Sequence, residues 1–446
     1  MDVPESAYYG AQTARAISNF PISGEPMPFS FIQALALIKK HAAKANGSLK
    51  NISPQIAEGI IHAANEVLEG KWRDQFPVDV FQTGSGTSTN MNMNEVLAHR
   101  ACEILSGSKS SKSVHANDHV NYGQSSNDVI PTALHISASI ALKQDLLPAL
   151  TRLHAELVKK ADKYFPVIKI GRTHYQDATP IRLGQEFSGY AAQIEFHEGQ
   201  LKKTMDELSS LALGGTAVGT GLNTSQNFVE KTIDGINLET GMQFHETGNH
   251  FAAQGAQDAA ICASAALKCL ATALIKIAND IRYLGSGPRL GIGELVLPAL
   301  QPGSSIMPGK VNPVMPEMLI QVAVQVMAND NAVSMAGSMG HLELNTMLPV
   351  IIRNLLQSLR LLAHAIDAFT HKCLAGLVAD EKVCAESVEQ SLSMATVLAP
   401  VIGYEKAAAI AKEAFSTQKT IREVSEAKSG LDPEELRRLL EAKNQV

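Results

Sequence analysis

The run Gly303-Ser304-Ser305-Ile306-Met307-Pro308-Gly309-Lys310-Val311-Asn312-Pro313 gathers hydroxyl, ammonium and carboxamide groups in a stretch without a carboxylate. Glycines near both ends permit backbone angles that other residues avoid, so the segment reads as a loop. Such a loop suits an anion. Successive N–H groups can form a nest, Lys310 brings charge, and Asn312 adds a directional donor. Pro316-Glu317 then opens a long apolar helix, giving the loop a rigid base. The bland alternative is a Gly/Pro surface turn. A Walker phosphate loop is excluded, because five residues rather than four separate Gly303 from Gly309, and Val311 stands where Ser or Thr must meet the metal.

Three other polar stretches could share in that chemistry. Thr83-Gly84-Ser85-Gly86-Thr87-Ser88-Thr89-Asn90 is dense in hydroxyls and amides, with a helix expected to begin around Asn92, Asn94 and Glu95. Residues 115–127 carry His115, Ala116, Asn117 and Asp118, then Ser125, Ser126 and Asn127. Pro131 fits a first helical turn there, with Asn127 or Asp128 as cap. Residues 171–180 set Thr173 and His174 among hydroxyl and amide groups. Histidine titrates nearest neutrality and so suits proton transfer, although a hydrogen-bonded structural histidine is the plain alternative.

Metal and dinucleotide readings fare worse. His115 and His119 lie in turn-like sequence, and His245-Glu246-Thr247-Gly248-Asn249-His250 is one residue too long for a zincin helix, so no metal is expected. Residues 214–223 superficially resemble a dinucleotide fingerprint, but no strand pattern precedes them. A set of hydroxyls, amides, one lysine and one histidine fits proton removal beside a carboxylate. The resulting dianionic aci form is stabilised by a fixed ammonium and N–H dipoles more than the ground state is.

These groups need positioning. At 446 residues, 45% hydrophobic and 5% aromatic, the chain is long enough for two or three domains rich in closely packed helices. A net charge of −6 leaves no basic footprint for nucleic acid. The five cysteines (Cys102, Cys262, Cys269, Cys373, Cys384) form no C-x-x-C pair and read as reduced core residues. The start shows no signal-peptide pattern, which leads us to expect a cytoplasmic protein. The apolar run from Ala259 to Ala278 is broken by Lys268 and Lys276 and does not read as a membrane span.

The opening up to about Ser30 reads as turn-rich, and helical spacing begins at Phe31. Long helices are expected near 132–164, 183–212, 251–284, 315–333 and 348–370, with loops at 168–182, 214–225 and 285–313. Ile351, Ile352, Leu355, Leu356, Leu359, Leu362 and Ile366 form one stripe; Met318, Leu319, Val322, Ala323, Val326 and Met327 form another. The second helix is apolar on its far side too, which points to a bundle that also packs against other subunits. Past Leu377 shorter, more charged helices suggest a small terminal domain. The expected division is 1–124, 125–377 and 378–446.

Together these segments resemble the fumarase/aspartase superfamily, and within it the class II fumarases. The resemblance rests on G-S-S-I-M-P-G-K-V-N-P at 303–313, T-G-S-G-T-S-T-N-M-N-M-N-E-V at 83–96, V-H-A-N-D at 114–118, Q-S-S-N-D at 124–128, G-R-T-H-Y-Q-D-A-T-P at 171–180 and L-A-L-G-G-T-A-V-G-T-G-L-N at 211–223. It implies an all-α, three-domain fold whose central helices form a twenty-helix core in a homotetramer, with each active site shared by three subunits. It further implies reversible hydration of fumarate to L-malate, a step of the tricarboxylic acid cycle, without cofactor or metal. Ser304 would take the C3 proton, its alkoxide held by backbone N–H groups, and His174, paired with Glu317, would handle water at C2. Lys310 and Asn312 would hold the aci carboxylate. Ser85, Gly86, Thr87, Ser125, Ser126, Asn127, Thr173, Ser305 and Val311 would complete the cradle. His115, Ala116, Asn117 and Asp118 would form a secondary anion site.

The chain departs from the pattern in two places. It begins at Asp2-Val3-Pro4, without the charged lead-in of its relatives, so the start is expected to be clipped. Ala116 replaces a usual proline. Val314-Met315-Pro316-Glu317 is shared with aspartases, which makes aspartate ammonia-lyase the rival activity; His115 and Ser126 argue for the hydratase. A catalytically silent structural relative is the third possibility, opposed by intact Ser304, His174, Lys310 and Glu317.

Overall fold

The computed structural model describes residues 3–446. Met1 and Asp2, where part of the expected clipped start falls, lie outside the described residues. The chain is 65% helical, as its composition leads one to expect. The described strands are short and form four two-stranded sheets.

One compact unit comprises Met1–Pro148, His197–Ala271 and Val322–Ala363. Within it Phe29–Ser48 packs on Pro54–Leu68, Ser126–Ala141 and Gln226–Thr240. Pro54–Leu68 shows how sequence sets such a helix. Ser53 accepts the Ile56 N–H, Pro54 occupies the first turn, and Ile60, Ala63, Ala64 and Val67 bury one face. The second unit comprises Ala149–Phe196, Thr272–Gln321 and His364–Val446. Its C-terminal part has its own apolar core, built from Ile170, Val388, Met394, Leu398, Ile410, Ile421, Val424 and Leu436.

The long helices stand close to where periodicity put them: Leu183–Leu208, Asp258–Leu284, Val314–Gly337 and Leu348–Phe369. The stripe from Ile351 to Ile366 is buried throughout, whereas Met327 and Val324 are exposed.

Several expectations are corrected. Residues 168–182 are a β-hairpin, Ile168–Thr173 paired antiparallel with Gln176–Arg182, because Ile168, Ile170, Thr179 and Ile181 favour a pleated conformation over a loop. Ala11–Asn19 is a helix inside the supposedly turn-rich opening. Its initiation comes from afar: the Glu95 carboxylate accepts the N–H groups of Gly10, Gln12 and Thr13 and the Thr13 hydroxyl. The helix Thr87–Ser106 starts earlier than expected, since Gly86, at φ 72°, lets the chain turn directly into it. Ser126–Ala141 is capped by Ser125 in a capping box with Asp128, and Pro131 lies inside the helix rather than in its first turn. The helix expected at 251–284 is divided into His250–Gly255 and Asp258–Leu284 at Gln257, whose φ is 69°. Cys102, Cys373 and Cys384 are buried, but Cys262 and Cys269 are exposed on Asp258–Leu284. That helix is long and apolar enough by composition to cross a membrane, yet half of its most apolar window is buried inside the chain.

Candidate active site

In the first unit, two polar turns are locked by contacts from distant segments. Leu348 N–H donates to the Gly84 carbonyl at 3.0 Å, and a Cβ on Gly84 would stand 1.8 Å from the Thr346 carbonyl oxygen. Only glycine fits. The turn behind it presents Ser85 and Thr87, whose hydroxyls lie 2.8 Å apart. Ser125, Ser126 and Asn127 sit at the positive end of the Ser126–Ala141 dipole, a position that favours an anion. The buried Asp128 fastens this end to the run 214–223 by accepting from Ser125, Gly214 and Thr216 N–H groups. Burial pushes its carboxyl up, and those three backbone bonds oppose the shift. Asn127 donates to the Ala217 carbonyl at 2.7 Å.

The secondary anion candidates form a single π-helical turn, Ala116–Val120, after His115. His115 Nδ1 accepts the Asp118 N–H at 3.2 Å, and Asn117 and Asp118 are exposed. Asn117, Asp118, Asn121, Gln124, Asn46 and Asn223 help line an amide-rich cavity of about 660 Å³.

In the second unit, His174 and Tyr175 form the tip of the hairpin, both with φ above 50°. Beneath it lies a buried charge cluster. Lys169 Nζ stands 2.8 Å from both Glu186 and Glu294, and Arg172 donates to Glu294 at 2.8 Å. Lys169 and Glu294 are wholly buried, so the strand that ends at Thr173 and leads into His174 is anchored by paired ions. Lys169, Arg172, Glu186, Tyr190, Asp280 and Tyr283 surround a cavity of about 280 Å³ that reaches His174.

The loop 303–313 is closed at its base: Gly303 N–H donates to the Lys310 carbonyl at 2.8 Å. The Ser304 hydroxyl oxygen accepts two backbone N–H groups, from Ile306 at 3.2 Å and Met307 at 3.1 Å. Ser305, Lys310 and Val311 are exposed. Glu317 sits in the first turn of Val314–Gly337, which begins two residues before Pro316.

Within the single chain, then, Ser304 meets its N–H donors and the Ser125–Asn127 turn is fastened in place. Among the described residues no ion pair or hydrogen bond joins His174 to Glu317. Sequence reasoning missed Lys169, Glu186 and Glu294, since Lys169 meets Glu186 across 17 positions and Glu294 from far along the chain, spacings with no local signal. It also missed Lys39, which stands four residues beyond Leu35 on a buried face and could have been noticed as a charge in an apolar stripe.

Comparison with known proteins adds to this geometry. A family model described as "Lyase" matches residues 1–328, and one described as "Fumarase C C-terminus" matches residues 394–444. The class II fumarate hydratase of Thermosynechococcus vestitus is 51% identical over 98% of this chain and 94% of its own length. The chain belongs to the class II fumarate hydratase family. As a member, it is a hydro-lyase. The family resemblance extends to a mitochondrial fumarate hydratase of Danio rerio, 50% identical over 95% of this chain and 84% of that one. It extends also to the crystal structure of a class II fumarase from Schistosoma mansoni, with TM-score 0.96 and 42% identity over 99% of this chain and 96% of that one. The mainly helical lyase fold expected from the motifs is therefore the fold of this chain.

Proposed function

We propose that the chain catalyses reversible hydration of fumarate to L-malate, with Ser304 as the base at C3. The observation that carries this assignment is the pair of N–H groups on the Ser304 oxygen. A serine hydroxyl is a poor base until its alkoxide is stabilised, and two fixed dipoles in a loop do that without reorganising. Ser304 removes the C3 proton of malate, the electron pair passes into the adjacent carboxylate, and the aci dianion then expels hydroxide from C2. His174, oriented by Glu317, protonates that hydroxide or, in the hydration direction, activates water. Lys310 and Asn312 meet the aci carboxylate. Ser85, Gly86, Thr87, Ser125, Ser126, Asn127, Thr173, Ser305 and Val311 form the rest of the cradle, and His115 to Asp118 the secondary anion site.

Val324, Met327, Met335 and Met339 leave an apolar face exposed on and beside Val314–Gly337. We infer a homotetramer in which three subunits contribute to each site, working in the cytoplasm within the tricarboxylic acid cycle. We infer a functional division into 1–124, 125–377 and 378–446.

The test is direct. Fumarate absorbance is followed with L-malate and with L-aspartate as substrates. Fumarate formed from malate alone is the expected result, and formation from aspartate alone overturns the assignment in favour of the ammonia-lyase. Ser304→Ala should lower kcat by roughly 10²–10⁴-fold, the range for a lost general base. Near-normal turnover in that variant removes Ser304 from the role.

A further inference from the structure

Lys39, in the helix Phe29–Ser48, is fully buried. A buried ammonium is expensive unless its protons are satisfied and its charge is used. Its two bonds in the structure go to neutral amides: Nζ donates to Asn121 Oδ1 at 2.9 Å and to Gln124 Oε1 at 3.0 Å. Asn121 Oδ1 also accepts from Asn90 Nδ2 and Asn94 Nδ2, each at 3.2 Å. The other Asn90 Nδ2 proton goes to Ser126 Oγ at 3.0 Å.

This chain of bonds has one direction. Lys39 can only donate, so Asn121 must present its carbonyl oxygen. Asn90 must then present its amide group, and Ser126 receives a proton on its oxygen. The Ser126 hydroxyl proton is left to be donated outward. Were the lysine neutral, its nitrogen could accept, the amides could turn, and Ser126 would no longer be held as a donor.

We propose that Lys39 is a positioning residue of the dicarboxylate site, acting through Asn121 and Asn90 to fix Ser126 as a hydrogen-bond donor to the substrate carboxylate. This rests on the reading of Ser126 as a substrate-binding residue. Burial lowers the Lys39 pKa to about 7, with the Asp128 carboxylate opposing the shift, so the switch operates near neutrality. Asp128 comes from Ser126–Ala141. On the other elements packed against this helix, Glu58 pairs with His62, Glu66 and Glu103 with Arg100, Asp118 with His115, and Glu239 with Lys40 and His41. Glu95 accepts from Gly10, Gln12 and Thr13, Glu230 accepts from Gln226, and Asp234 is exposed.

The experiment measures succinate binding, which needs no turnover, by calorimetry on the assembled wild-type protein and on Lys39→Met and Lys39→Arg from about pH 6 to pH 9. Wild-type affinity should fall as pH rises through neutrality. Lys39→Met should bind about 10- to 100-fold more weakly at the acid end, what one charge-assisted hydrogen bond supplies, and lose the pH slope. Lys39→Arg, charged throughout, should also lose the slope while keeping more of the affinity. In turnover assays the loss in Lys39→Met should fall on KM more than on kcat. A wild-type profile flat through neutrality overturns the proposal. So does a variant that keeps the wild-type slope, or failure of both variants to fold, which would mark the lysine as structural. If the wild type proves inactive on fumarate yet binds succinate in a Lys39-dependent way, the hydratase reading fails and this proposal stands. If it is active but its binding ignores Lys39, only this proposal fails. No binding of succinate by a protein active on fumarate sinks this proposal alone, and no binding together with no activity sinks both.

Discussion

The side-chain amide of Asn312 donates to the Gly303 carbonyl at 2.9 Å, tying together two residues nine positions apart. The tie gives Asn312 two duties, since the same carboxamide is assigned to the substrate. Asn312→Ala should open the base of the loop and remove a donor, lowering kcat/KM by roughly 10²-fold or more. Gly303→Ala should do similar damage, because its Cβ would stand 2.4 Å from the Lys310 carbonyl oxygen. Faster limited proteolysis within 303–313 in both variants is the accompanying structural readout.

His174 occupies a left-handed backbone position that asparagine also tolerates. His174→Asn should therefore keep the hairpin turn while removing the proton carrier, with kcat down by roughly 10²–10⁴-fold. His115→Asn should be mild, since its turn is short and exposed. Steady-state kinetics on the two variants decide between the sites, and the reverse order would interchange them.

Removing Lys169 strands Glu186 and Glu294 without their shared cation. Burial already pushes the Glu186 carboxyl up, and Lys169 opposes that shift. Lys169→Met should cost about 3–5 kcal/mol, the usual penalty for breaking a buried ion pair from one side. Urea denaturation gives the figure, and hydrogen exchange should place the loosening in residues 168–182.

Lys39 makes stability depend on pH with a definite sign. Its pKa is lowered from 10.5 to about 7, so between those values the unfolded chain holds a proton that the folded chain has released. Folding is then favoured by rising pH, by up to about 1.4 kcal/mol per unit, and the burial penalty is full below about pH 7. Lys39→Met lacks this contribution. The wild-type minus variant difference in unfolding free energy should therefore climb across that window, and a constant difference would mean the lysine is not desolvated as described.

Much of this molecule was legible in advance, and the reasons are local. Ile351, Leu355, Leu359 and Ile366 recur at helical spacing, and burial alone then fixes a helix. The Ser304 nest was legible because glycines, hydroxyl and loop lie within a few positions of one another. What escaped notice depends on partners remote in the chain. The hairpin 168–182 looked like a loop, because its Thr173, Gln176 and Asp177 carry polar side chains on paired backbone. The helix Ala11–Asn19 is short and buries only Thr13 and Ala16, and its donors are met by a residue more than eighty positions away.

That last dependence bears on biosynthesis. An isolated segment of nine residues is too short to hold a helix in water. The helix Ala11–Asn19 must wait, during translation, until Glu95 has cleared the ribosome and docked, so that segment stays available to chaperones and proteases through that interval.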